Sequence, residues 1–170
     1  AILVDGGATV SMTNGLVRGH GVFGYSAVRV GAGGAYGSLN STYAGNSDAP
    51  LRVAGSTVVT LTNTIMWDNG QPAQYDSGAS VTAQCNDTQS LLSGPNNISA
   101  DPMFVTTSRG DYRLGIGSPA VDACSSGSDH DLDNVNRPIN ASGVSGRAAF
   151  DMGAFERLDH IFLPAVLRNY

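Results

Sequence analysis

A chain of 170 residues with a net charge of −5, nine arginines and no lysine offers no basic stripe to nucleic acid and no polybasic patch to a membrane surface. No apolar run reaches the ~20 residues that cross a bilayer as a helix, so no transmembrane span is expected. Thirteen of the fourteen acids are aspartate, and Gly, Asn, Ser and Thr dominate, which disfavours helices and predicts an all-β chain with many tight turns.

Residues 1–4 form an apolar run closed by Asp5-Gly6-Gly7. The chain starts in mid-strand without a methionine, so it reads as a processed product or a piece of a longer protein. Val10 and Met12 lead into Ser11-Met12-Thr13-Asn14, and similar lines recur at Ser38-Leu39-Asn40, at Thr60-Leu61-Thr62-Asn63 and at Ala83-Gln84-Cys85-Asn86. The asparagines at 14, 40, 63 and 86 are separated by 26, 23 and 23 residues. A period of 20 to 30 residues with strand alternation and no helical period predicts a solenoid of stacked coils, in which each coil exposes apolar residues that only the next can cover. The competing reading is an antiparallel sandwich with coincidentally spaced asparagines.

In the solenoid, Asn14, Asn40, Asn63 and Asn86 form a ladder at one corner, where an amide tolerates left-handed backbone and bonds to the amide one rung away. Around Asn63, period two puts Val59, Leu61 and Ile65 on one face and Thr60, Thr62 and Thr64 on the other. Further strands are predicted at 27–30, at 51–53 and around Tyr75. Cys85 and Cys124 either pair in an oxidising compartment, closing a loop worth roughly 3–4 kcal/mol, or stand as two buried thiols.

Residues 93–97 read as a loop, and beyond Ile98 the rung pattern fades into irregular coil with short apolar anchors. Asn97-Ile98-Ser99-Ala100-Asp101-Pro102-Met103-Phe104-Val105, Gly110-Asp111-Tyr112-Arg113-Leu114, Gly117-Ser118-Pro119-Ala120-Val121-Asp122-Ala123, Asp131-Leu132-Asp133 with Asn136-Arg137-Pro138, and Asp151-Met152-Gly153-Ala154-Phe155-Glu156 occur in that order. This series resembles the C-terminal signature of secreted bacterial parallel β-helix proteins of the pectin-lyase-like, "choice-of-anchor Q" type. The resemblance implies a short right-handed parallel β-helix of about four rungs over residues 1–97, an irregular C-terminal cap over 98–156, and a secreted or cell-surface location. It implies no catalytic residues. Cys124 stands where that pattern commonly has glycine, which strengthens the disulfide reading. Asp133-Asn134-Val135-Asn136 also departs from the pattern's usual Asp-Gly-Asn.

Residues 157–170 form an apolar tail centred on Ile161, Phe162 and Leu163, read as a docking or attachment segment. It resembles aromatic-Leu-Pro-x-Val-Leu-Arg endings of exported proteins from some filamentous bacteria. Tail and first-coil residues Ile2, Val4, Val10 and Met12 are the candidate assembly surfaces, because the first coil has no neighbour to cover it.

Asp122, Asp129, Asp131, Asp133, Asp151 and Glu156 cluster in the cap and are the candidate ligands of a structural Ca²⁺, whose coordination takes hard oxygens. The alternative is that they cap turns and pair with Arg137, Arg147 or Arg157. Arg18, His20, Arg29 and Arg52 are the bases available to a polysaccharide lyase, but Asp5, Asp48 and Asp68 do not share their register. The histidines lack zinc-ligand spacing. Tyr25, Tyr36, Tyr43, Trp67 and Tyr75 would stack on a polysaccharide if they shared an outer face. The expected function is a non-catalytic structural or assembly module, self-associating or covered by missing N-terminal rungs. A glycan-binding adhesin is the second reading, and a polysaccharide lyase or glycoside hydrolase the third.

Overall fold

Three strands per turn, repeated four times, make up the solenoid in the computed structural model, which describes residues 1–21, 24–141 and 149–158. The first coil holds β1 (Ile2–Val4), β2 (Thr9–Thr13) and β3 (Leu16–Arg18). The second holds β4 (Val28–Val30), β5 (Ala35–Leu39) and β6 (Thr42–Ala44). The third holds β7 (Leu51–Val53), β8 (Val58–Thr62) and β9 (Ile65–Trp67). The fourth holds β10 (Gln74–Tyr75), β11 (Ser80–Gln84) and β12 (Asp87–Thr88). Equivalent strands pair in parallel, giving sheets in the orders β1-β4-β7-β10, β2-β5-β8-β11 and β3-β6-β9-β12. This is a right-handed parallel β-helix, and no antiparallel sandwich is formed.

Register turns the sequence repeat into columns of side chains. Val10, Tyr36, Val59 and Val81 stack through the middle sheet, with Met12, Ser38, Leu61 and Ala83 beside them. Val4, Val30, Val53 and Tyr75 form the facing column. In the second and third coils these inward residues are almost wholly buried, and each aliphatic one contributes on the order of 1.5–3 kcal/mol by leaving water. Polar members of the columns are bonded to one another: Tyr36 Oη lies 2.6 Å from Tyr43 Oη, Tyr43 donates to Ser38 Oγ at 3.0 Å, and Ser38 Oγ lies 3.0 Å from Thr64 Oγ1. Four hydroxyls in the core thus satisfy one another across two coils.

The corner at Asn63 changes which face is which. Val59 and Leu61 point inward as expected, but the left-handed residue (φ 50°) shifts the alternation, so Met66 rather than Ile65 continues the inner face. Ile65 points outward and is buried in a second cluster with Cys85, Leu114, Ala120, Cys124 and Met152.

All of these but Cys85 belong to the described residues of segment 98–158. They do not close the end of the helix as a cap; they run back along the outer face of β3-β6-β9-β12, from the fourth coil to the first. Ile98 bridges to Asp87, an antiparallel hairpin β13 (Phe104–Thr106) and β14 (Asp111–Leu114) follows, and Tyr112 and Phe155 pack on Ala44. The reason is the outer face itself: Thr42, Ala44, Ile65 and Asp87 point out and need cover. The fourth coil is covered in part by Leu92 and the turn that precedes Asn97. The tail residues Ile161, Phe162 and Leu163, and Arg147, lie outside the described residues.

Removing the central hydroxyl of the buried chain tests how far the core depends on it. Tyr43→Phe leaves Ser38 and Tyr36 each short of a partner, so a loss of about 1–2 kcal/mol is expected in urea unfolding, with an unchanged slope. An unchanged midpoint would contradict that role.

Candidate functional site

The left-handed corner positions are Asn14 (φ 54°), Asn40 (φ 46°), Asn63 (φ 50°) and Cys85 (φ 56°). Asn86 falls one residue late. Register places it beside Thr64 and Ser41, where it is buried, accepts from Thr64 N at 2.9 Å and donates to Leu61 O at 3.0 Å. Asn86 N and Nδ2 in turn each donate to Asn97 Oδ1 at 2.9 Å, so Asn97 ends a second, inner series.

The corner amides do not bond to one another as the sequence suggested. They hold the returning segment. Asn14 Nδ2 donates to His130 O at 2.6 Å, Asn40 Oδ1 accepts from Ser128 N at 3.0 Å, and Asn63 Nδ2 donates to Ser126 O. At the fourth corner the amide is replaced by a covalent bond, the Cys85–Cys124 disulfide. Alternate residues 124, 126, 128 and 130 thus meet successive coils, one per rung. Gly127 lies so close that a Cβ would stand 2.8 Å from Asn40 Oδ1 and 3.0 Å from Asn63 Nδ2.

A true amide stack does occur, at another corner. Asn46 Nδ2 donates to Asn69 Oδ1 at 2.7 Å, and Asn69 N donates to Gln89 Oε1 at 2.8 Å. Asn46 and Asn69 stand 23 residues apart, the same interval as Asn40 and Asn63, which is the signal that could have found them.

The six candidate calcium ligands are spread over different tasks. Asp131 accepts from Val135 N and Glu156 N, Asp151 from Asp122 N and Arg157 N, and Glu156 from Ile139 N and Asp151 N. Exposed Asp133 pairs with Arg113, Asp129 is exposed, and Asp122 occupies a left-handed turn (φ 51°). Among the described residues no group of three His, Cys, Asp or Glu could hold a metal ion. The carboxylates of Asp131, Asp151 and Glu156 thus serve as acceptors for backbone N–H groups of irregular chain.

At their centre Arg137 is buried, with Nη1 3.3 Å from Glu156 Oε2 and both terminal nitrogens donating to the carbonyls of Asp151 and Gly153. Burial, then the charge of Glu156, pushes Asp151 up to about 7, against two N–H bonds that pull it back. Asp87, buried between β9 and Ile98, is pushed up to about 6 by burial, with one bond from Ala100 N opposing.

The proposed lyase bases are not assembled. Arg29 and Arg52 share a register on the outer face of β4 and β7, but Leu3 and Gln74 stand above and below them in place of carboxylates. Arg18 lies under Gly110, and Asp5 and Asp48 cap their own turns. The aromatic strip is also dispersed: Tyr36 and Tyr43 are core, Trp67 and Tyr75 are half-buried against the two clusters, and Tyr25 alone is exposed.

An open groove of about 970 Å³ lies between the β13–β14 hairpin and the turn at 131–135. Its walls include Met103, Phe104, Val105, Leu114, Ile116 and Leu158, under an acidic rim of Asp101, Asp111 and Asp133. Beside it Phe104 packs edge-on to Tyr112, and the Arg113 guanidinium lies 4.9 Å over the Phe155 ring. No signal in the sequence distinguished this groove, because its apolar residues come from four separate segments. No protein-family model, curated protein or solved structure matches this chain.

Two measurements test the joint between solenoid and flank. Replacing both Cys85 and Cys124 by Ser opens a link between residues 39 apart, and a loss of about 4 kcal/mol is expected in chemical unfolding, with faster amide exchange over residues 124–130. Asp87 ordinarily titrates at 3.8, so between about 4 and about 6 the folded chain holds a proton that the unfolded chain has lost. Its contribution to stability therefore falls as pH rises through that window and is level above it. Asp87→Asn keeps the acceptor for Ala100 N, so its melting temperature should exceed that of the parent at pH 7.5 and match it at pH 4. An advantage equal at both pH values would refute the assignment.

Proposed function

We propose that this chain is a non-catalytic structural module of an exported or cell-surface protein, and that its first coil receives a further β-coil. The observation that supports it is the asymmetry of burial. Ile2, Val10, Met12 and Val17 are half-exposed, while their register partners Val28, Tyr36, Ser38 and Tyr43 are buried. Among the described residues β1, β2 and β3 are each the edge of a sheet, with one row of backbone groups unpaired. Val4 is already buried, so the open face consists of the remaining columns.

The partner is another parallel coil, supplied by more of the same polypeptide or by a second copy. The disulfide favours an oxidising compartment, and the five-block signature favours the pectin-lyase-like, "choice-of-anchor Q" type of β-helix. A glycan-binding reading lacks an aromatic strip, and a lyase reading lacks carboxylates in register with Arg29 and Arg52.

Light scattering on the native chain over a concentration series tests the reading. Species larger than 17.5 kDa are expected, and Met12→Glu, which sets a charge on the open coil, should return the chain to monomer. A monodisperse 17.5 kDa particle at every concentration would overturn the proposal.

A further inference from the structure

The groove beside the β13–β14 hairpin is open, is lined largely by apolar side chains and is separate from the first coil. Met103, Val105, Ile116 and Leu158 are 46, 54, 78 and 55 % exposed along it, a contiguous patch that soluble surfaces seldom leave uncovered. Leu158, the last of these, leads directly into Asp159-His160 and then Ile161-Phe162-Leu163-Pro164-Ala165-Val166-Leu167. We propose that residues 161–167 of the same chain seat in this groove.

Three observations favour this occupant. Leu158 already lines the groove, so the apolar run begins two residues from its wall and its effective concentration there is in the millimolar range or above. Seven extended residues span roughly 23 Å, and a cavity of about 970 Å³ has room for several of their side chains. One charge also matches: Arg113 already pairs with Asp111 and Asp133 in the lining, but Asp101 forms no ion pair among the described residues, and Arg168 follows the apolar run directly. Pro164 suits such a segment, since an outer strand or strap tolerates a missing N–H.

The test uses the full chain with two added cysteines, the native Cys85–Cys124 pair remaining closed and buried. Leu163→Cys is combined with Ile116→Cys in the groove or, as control, with Val58→Cys, which is exposed on the outer face of β8. Under mild oxidation of dilute protein, the 116–163 link should form within one chain roughly tenfold faster than the 58–163 link. Equal rates would overturn the proposal, and so would links mainly between chains that rise with concentration, which would assign the groove to a second copy. As a second measurement, Ile116→Asp should speed amide exchange over residues 161–167 while leaving the solenoid strands unchanged, and unaltered exchange would also refute it. Neither readout depends on the oligomeric state of the first coil, so the two proposals fail separately.

Discussion

The structure depends on one joint, the contact between four left-handed corners and an extended segment that crosses them. A corner residue with positive φ costs an L-residue about 1–2 kcal/mol, least for asparagine, and the solenoid incurs that cost at this corner of every coil. The returns come from outside the coil. Each corner side chain fixes residues 126, 128 or 130 of the returning segment, and at Cys85 the hydrogen bond is exchanged for a disulfide. Coil geometry and flank position are therefore one constraint. If the corners straightened, the flank would lose its anchors; if the flank detached, Ile65, Thr42 and Asp87 would face water.

That constraint explains why so many polar groups are buried in the flank. The described residues of segment 98–158 are irregular over most of their length, so their backbone N–H groups need acceptors that a sheet would otherwise supply. Asp131, Asp151 and Glu156 provide them, two bonds each, and Arg137 satisfies the opposing carbonyls. A carboxylate used in this way is a structural acceptor. The raised titration of Asp87 and Asp151 reflects the same burial.

The sequence showed the solenoid because a repeat of one residue type at fixed interval is a backbone requirement, and backbone requirements survive changes in the side chains around them. The fourth member is displaced by one residue because Asn86 lies next to the true corner, which Cys85 occupies as a disulfide partner. The parity error at Ile65 has the same origin: strand alternation holds only between corners, and a left-handed residue resets it. Asn46 and Asn69 carry the repeat interval but lie in turns, where asparagine needs no special explanation. The groove could not be read at all, since its walls at 101–105, 111–116, 131–135 and 156–158 become neighbours only through the fold.

The length of the flank also limits what can be added to the solenoid. The alternate-residue contacts run 124, 126, 128 and 130, and the next in that series would be Leu132. There the segment turns: Asp131 N donates to Val135 O, Asn134 N to Asp131 O, and Asn134 is left-handed at φ 63°. The turn is locked by the Asp131 carboxylate on Val135 N and Glu156 N. A fifth coil stacked on β1, β2 and β3 would therefore find no flank residue waiting for its corner among the described residues. It would be held by strand pairing and by apolar contact with Ile2, Val10, Met12 and Val17 alone, interactions that accept any sequence with the same columns. The flank fixes the four coils to one another, and the open edge stays general.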